Sequence, residues 1–203
     1  MNWWVAGIAL GLFVWAFAEA YIWPVVPDAA LASAVFLVPE GIEWFAGATV
    51  AGSAVGGATA MAAYRRGMRW PLPLVTPRMR SKVATWLDRG AVGLVYQPLT
   101  TVPYKVFVVE GAGRALGLAI WTLWTVVFRG ARMSVVAVLA VLASGLVDVI
   151  APIASARLAL LGVGLALFLM GWRAAWQFWA RSEDPESVHP DGMAPTFART
   201  MRP

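Results

Sequence analysis

AEAYIWPVVPDAAL, residues 18–31, interrupts an otherwise apolar N-terminal region with two carboxylates, Glu19 and Asp28, and two prolines, Pro24 and Pro27. A helix that simply crosses a bilayer avoids such residues at its centre, because a charge is costly in hydrocarbon and a proline removes a backbone donor. Before the segment, Trp3 to Ala18 would be about 24 Å long as a helix; after it, Ala29 to Val38 would be about 15 Å, against a hydrocarbon core of about 30 Å. Neither half spans. Helix is disfavoured in the residue before each proline, so a break is predicted between Ile22 and Asp28. Two short helices around that break, over residues 3–38, read as a re-entrant hairpin that enters and leaves by one face, in preference to a single kinked span. Broken backbone at membrane depth persists only where protein or a wet cavity surrounds it.

The rest of the composition agrees with a membrane setting. The 203-residue chain is 60% hydrophobic and 13% charged, with a mean hydropathy of +0.69, well outside the usage of soluble domains. The fold class expected is an all-α integral membrane protein, a helical bundle with two opposed re-entrant hairpins and about three full transmembrane helices. The chain has no cysteine, and its one histidine, His189, stands in a polar tail, so no disulfide, no metal site and no cofactor are expected. The net charge of +5 reads as cytoplasmic loops of a membrane protein, not as a nucleic-acid surface. Met1 to Trp4 has no positive n-region, so the first segment is expected to remain attached.

After the acidic turn PEGIEW, residues 39–44, the clearest span covers 42–64, with Gly52, Gly56 and Gly57 among small residues that let another backbone approach. Residues 65–90 hold seven cations, among them Arg65, Arg69, Arg80 and Lys82, against Asp88 alone, which marks a cytoplasmic loop. Within it, Thr76-Pro77 offers a cap and first-turn proline, and Met79, Val83, Trp86 and Leu87 share a face, predicting an amphipathic surface helix over 77–89 drawn to anionic lipid heads.

Residues 91–113 repeat the opening pattern with the opposite sign: Pro98 and Pro103 flank Gln97, Thr100 and Thr101, and Lys105 and Glu110 follow. This reads as a second hairpin entering from the cytoplasmic face, opposed to the first, as in transporters that build a midplane site from broken elements. Residues 115–147 form one long span interrupted only by FRGAR, because cutting there would leave halves too short to cross. Arg129 and Arg132 then lie three apart on one face near its middle, with Glu19 and Asp28 as their counter-ions. A last span covers 155–179 and ends in an interfacial Trp/Arg belt. Residues 1–180 thus form one transmembrane domain, and 181–203 a disordered cytoplasmic tail.

The Glu-x4-Pro-x2-Pro-Asp run from Glu19 to Asp28, GLVYQPLTTVPYKVFVVEGAG at 93–113 and FRGAR at 128–132 resemble the DedA superfamily, the VTT or SNARE-associated domain family, in its small YqaA-like branch. The resemblance covers about residues 10–150. It implies opposed hairpins inside a helical bundle and transport, flipping or scrambling of lipids, polyprenyl phosphates and phospholipids among them, in some members coupled to protons. It further implies a multi-pass protein of the inner (plasma) membrane. The arginine-rich second motif of better-studied members is absent: Gln97 and Thr101 occupy that neighbourhood, with Lys105 the nearest cation.

Chemistry alone leads to a compatible reading. Lys105, Arg129 and Arg132 are donors suited to a phosphate, and with Gln97 and Thr101 they are the candidate substrate-binding residues. Glu19 and Asp28, able to exchange an arginine partner for a proton, are the candidate proton-coupling pair, and Pro24, Pro27, Pro98 and Pro103 the hairpin breaks. The partners expected are membrane lipids, with an anionic lipid phosphate as substrate and self-association into a homo-oligomer as a further option. A small-ion or solute transporter and a non-catalytic membrane scaffold are the alternatives. No zinc, Walker or Gly-x-Ser-x-Gly motif occurs, so an enzyme is not expected.

Overall fold

The computed structural model describes residues 2–21, 27–72, 74–150 and 154–180. Pro24 and the 181–203 tail lie outside them. Every regular element among the described residues is helical: α1 (Trp3–Glu19), α2 (Pro27–Leu37), α3 (Ile42–Arg65), α4 (Pro77–Leu87), α5 (Tyr96–Leu99), α6 (Tyr104–Ala112), α7 (Leu118–Ile150) and α8 (Ala154–Ala180). Short 3-10 turns at Pro39–Gly41 and Gly90–Val95 lead into α3 and α5. Three stretches are long and apolar enough to cross a membrane: Pro39–Arg65, Leu118–Ile150 and Ser155–Ala180. This is the make-up of a helical membrane protein.

The long helix through FRGAR is continuous, since α7 runs 33 residues without interruption. At 1.5 Å per residue it is about 50 Å long, more than a bilayer core, so it must tilt or project. Arg129 falls about a third of the way along it, not at its middle.

The helix α1 packs along α3. Their backbones meet at glycines: a Cβ on Gly52 would collide with the Phe13 carbonyl and one on Gly56 with the Phe17 carbonyl. That close approach is the use to which the small-residue run is put.

Two apolar cores stack along α3 and α7. One joins Val5 and Leu12 of α1, Leu31 and Val35 of α2, Phe45 of α3 and Met133, Ala137 and Ala140 of α7. The other gathers Met61, Met79, Val83, Leu87, Tyr104, Phe107 and Trp121. Along α7 the two are separated at Thr125 and Arg129, both buried. Thr125 and Arg129 therefore mark a polar layer between two oily ones.

The amphipathic helix is present as α4, capped by the Thr76 hydroxyl, which accepts from the Met79 amide at 3.3 Å. Its apolar face differs from expectation. Met79, Val83 and Leu87 are buried against the α6 side of the core, and Trp86 stacks on Tyr96 and Phe107. Protein, not lipid, covers that face, because α6 presents Phe107 at the same level.

Candidate functional site

The polar layer is built from the end of α1, the start of α2, the segment from α5 to α6, and α7. Glu19 is the last residue of α1, where the helix dipole disfavours a negative charge. Arg129 supplies the compensation: its Nη2 donates to Glu19 Oε2 at 2.5 Å with both side chains almost fully buried. Asp28 sits in the first turn of α2, where the same dipole favours a carboxylate. Arg132 Nε donates to Asp28 Oδ1 at 2.5 Å. Each of the four depth-matched charges thus meets an opposite one.

Arg132 also reaches the second broken region. Helix α5 stops at Leu99 because Pro103 disfavours helix at Val102, which orphans the carbonyl of Pro98. Arg132 Nη1 donates to that oxygen at 3.0 Å. One guanidinium therefore ties α2, α5 and α7 together.

Arg129 lies deeper. Its guanidinium stands 4.6 Å from the centroid of the Tyr104 ring, a cation–π contact strengthened by desolvation, and the Tyr104 hydroxyl shares a 3.0 Å hydrogen bond with Thr125. Its Nε and Nη1 have no protein hydrogen-bond partner. Lys105, in the first turn of α6 just past the Pro103 break, is completely buried and within the electrostatic field of Glu19. Lys105, Arg129 and Arg132 thus share one layer with Glu19 and Asp28.

Two cavities open from this layer beneath α8. A polar one of about 270 Å³ is lined by Glu19, Gln97, Thr100, Thr101 and Arg132 on one wall and by Phe168 and Trp172 of α8 on the other. An apolar one of about 440 Å³ runs along Ala32, Phe36, Val136, Leu161 and Leu165, with Asp28 and Arg132 at one end. Arg132 and Phe168 line both. Gln97 Oε1 and Thr100 Oγ1 in the polar cavity, and Asp28 Oδ2 in the apolar one, are buried without a hydrogen-bond partner.

Helix α8 is pinned at its ends. Arg157 pairs with Asp148; at the other end Trp179 Nε1 donates to Thr101 Oγ1 at 3.0 Å, and Arg78 lies 5.0 Å from the Phe178 ring. Between the pins α8 packs thinly on α2 and α7 and spans the cavities.

Of the residues singled out in the sequence, Glu19, Asp28, Gln97, Thr101, Arg132 and Pro103 meet at these cavities, and Pro98 contributes its carbonyl. Pro27 is the first residue of α2. Arg129 and Lys105 line neither cavity and stand behind it. Tyr104 and Phe168 were not anticipated: Tyr104 adjoins Lys105 in the sequence, but its contact with Arg129 is tertiary, and nothing local distinguishes Phe168 from the leucines around it. Comparison with protein-family models, curated proteins and solved structures gives no match. The chain's chemistry must be read from its own residues.

Removing one member of a buried pair strands the other charge, which costs about 3 to 5 kcal/mol, whereas removing both costs far less. Glu19→Gln and Arg129→Gln are each expected to lower folded yield and melting temperature, and the double variant to recover most of both. Additive losses, measured by thermal unfolding in detergent, would show that the two side chains are not energetically coupled.

Proposed function

We propose that the chain is a membrane transporter for anionic lipid phosphates, acting as a flippase or scramblase, with polyprenyl phosphates or phospholipids as the substrate class. The observation that carries this reading is the junction of a polar and an apolar cavity at Arg132. An amphipathic molecule needs both: Arg132, Thr100, Thr101 and the Gln97 amide offer donors to a phosphate, while the apolar cavity offers a wall for a tail. Thin packing of α8 over both supports entry from the side, through lipid. A small-ion pathway has no use for the larger, apolar half. Proton coupling enters through Asp28, whose partner Arg132 is the group an incoming phosphate would engage, and through Glu19, which lines the same polar cavity.

The same reading includes the two re-entrant hairpins. At 17 and 11 residues, α1 and α2 are about 26 and 17 Å long, short of a bilayer core. Val5 near the start of α1 and Val35 near the end of α2 share one apolar core with Phe45 at the start of α3, which supports entry and exit on one side. The short α5, the break before Pro103 and the short α6 support the second hairpin. Both agree with the resemblance to the DedA superfamily and with an inner-membrane protein whose 65–90 loop and tail face the cytoplasm.

Because the chain lacks cysteine, single cysteines report topology cleanly. Substitutions Asn2→Cys and Glu40→Cys are expected to react with an impermeant reagent from the same outer face of intact cells, and Arg66→Cys only after permeabilisation. Asn2 and Glu40 reacting from opposite faces would replace the first hairpin with a kinked span.

In liposomes, purified protein is expected to translocate a fluorescent lipid phosphate. The variant Arg132→Gln should slow this by about tenfold or more, the order expected for loss of a charged hydrogen bond. Asp28→Asn combined with Arg132→Gln should restore folded yield without restoring transport. Wild-type translocation by Arg132→Gln would remove the site from the mechanism, and transport of a small inorganic anion in place of the lipid would favour the ion-transporter alternative.

A further inference from the structure

A third cavity lies apart from the α8 crevice, where α3, α4 and α6 converge. Its volume is about 670 Å³, and its walls carry Arg65, Arg69, Arg80 and Arg114, with Glu110 the only acidic lining residue among the described residues and Trp70 beside them. The four guanidiniums are not alike. Arg80 pairs with Glu110 at 2.7 Å, and Arg114 pairs with Asp88 at 2.8 Å and with Glu110 at 3.8 Å. Arg65 and Arg69 instead donate to backbone carbonyls: Arg65 Nη2 to Arg114 and Leu116 oxygens at 3.1 and 2.5 Å, and Arg69 Nη1 to Tyr64 and Met68 oxygens, both at 2.8 Å.

Carbonyl partners hold a guanidinium in place without neutralising it. Among the described residues neither Arg65 nor Arg69 has a carboxylate within ion-pair distance, and both, though solvent-exposed, are held by these bonds on one concave wall. Arg69 is steadied further by the Tyr64 ring, 5.1 Å from its guanidinium carbon. Oriented arginines of this kind match the oxygens of a phosphate in a way that mobile surface lysines do not.

The level of the cavity selects the source of that phosphate. Arg65 ends the apolar span Pro39–Arg65, so the cavity begins where hydrocarbon gives way to headgroups. Trp70, whose Nε1 donates to the Tyr21 carbonyl at 2.8 Å, is the residue type that settles at that boundary. We infer that this arginine cavity is a second binding site that takes the phosphate of an anionic phospholipid headgroup from the leaflet at this end of α3. It is separate from the α8 crevice, and its occupancy does not depend on transport.

The test uses a single cysteine, Leu72→Cys, on the cavity wall, labelled with an environment-sensitive fluorophore in the full chain. Nanodiscs of phosphatidylcholine are compared with nanodiscs of rising phosphatidylglycerol content. A spectral change that tracks phosphatidylglycerol is expected. Arg69→Gln, bonded within its own short segment, should raise the phosphatidylglycerol fraction needed for the half-maximal change about fivefold, and Arg65→Gln with Arg69→Gln should raise it further still. Arg66→Gln, exposed and outside the cavity, should leave it unchanged. Equal responses in the two lipids, or equal titrations for Arg69→Gln and Arg66→Gln, would overturn the site. The full spectral change on adding inorganic phosphate to phosphatidylcholine nanodiscs would overturn the lipid assignment in favour of a free anion.

Discussion

Two arginines on α7, each held by a carboxylate from another helix, are the constraint on which the rest of the arrangement depends. A guanidinium in hydrocarbon costs at least about 2.5 to 3.5 kcal/mol even on the most lenient scale. Arg129 and Arg132 can therefore occupy their level of α7 only if other segments bring acids to them. Glu19 and Asp28 do so, one from the last residue of α1 and the other from the first turn of α2. Two neighbouring helices of the N-terminal region thereby bring two acids to arginines three residues apart on α7.

The same constraint leaves space beside the pairs. Helix ends expose backbone groups that continuous helices satisfy internally. The Pro98 carbonyl is claimed by Arg132, while Gln97 and Thr100 keep unpartnered oxygens facing the polar cavity. Helix α8 closes that space without filling it. The proposed lipid-phosphate pathway rests on this combination of a polar pocket holding Arg132, an apolar neighbour and a thinly packed cover.

Much of this was legible in the sequence because intramembrane charge and proline are rare and each has few tolerable explanations. The spans at 42–64, 115–147 and 155–179 differ from α3, α7 and α8 by at most a few residues, since length and apolarity decide them. The counter-ions could be matched by depth because so few charges were available. Other features were not legible. The burial of α4's apolar face against α6 could not be separated from burial in lipid, because Met79, Val83 and Leu87 suit either neighbour equally. Tyr104 beneath Arg129 depends on how α6 rotates after Pro103. The α8 residues that wall both cavities belong to a stretch so evenly apolar that no side of it stands out. Arg65 and Arg69 read as ordinary members of a cationic loop until the fold showed that carbonyls, not carboxylates, hold them.

Photocrosslinking tests the central claim most directly. A photoreactive amino acid in place of Thr101 or of Phe168, both on the cavity walls, is expected to capture a radiolabelled lipid phosphate in native-like membranes, and Arg132→Gln should suppress that capture. The same photoreactive residue at Leu139, on an exposed apolar face of α7, should capture bulk lipid regardless of Arg132. Capture at Thr101 and Phe168 that is no greater than at Leu139 and indifferent to Arg132→Gln would contradict the account.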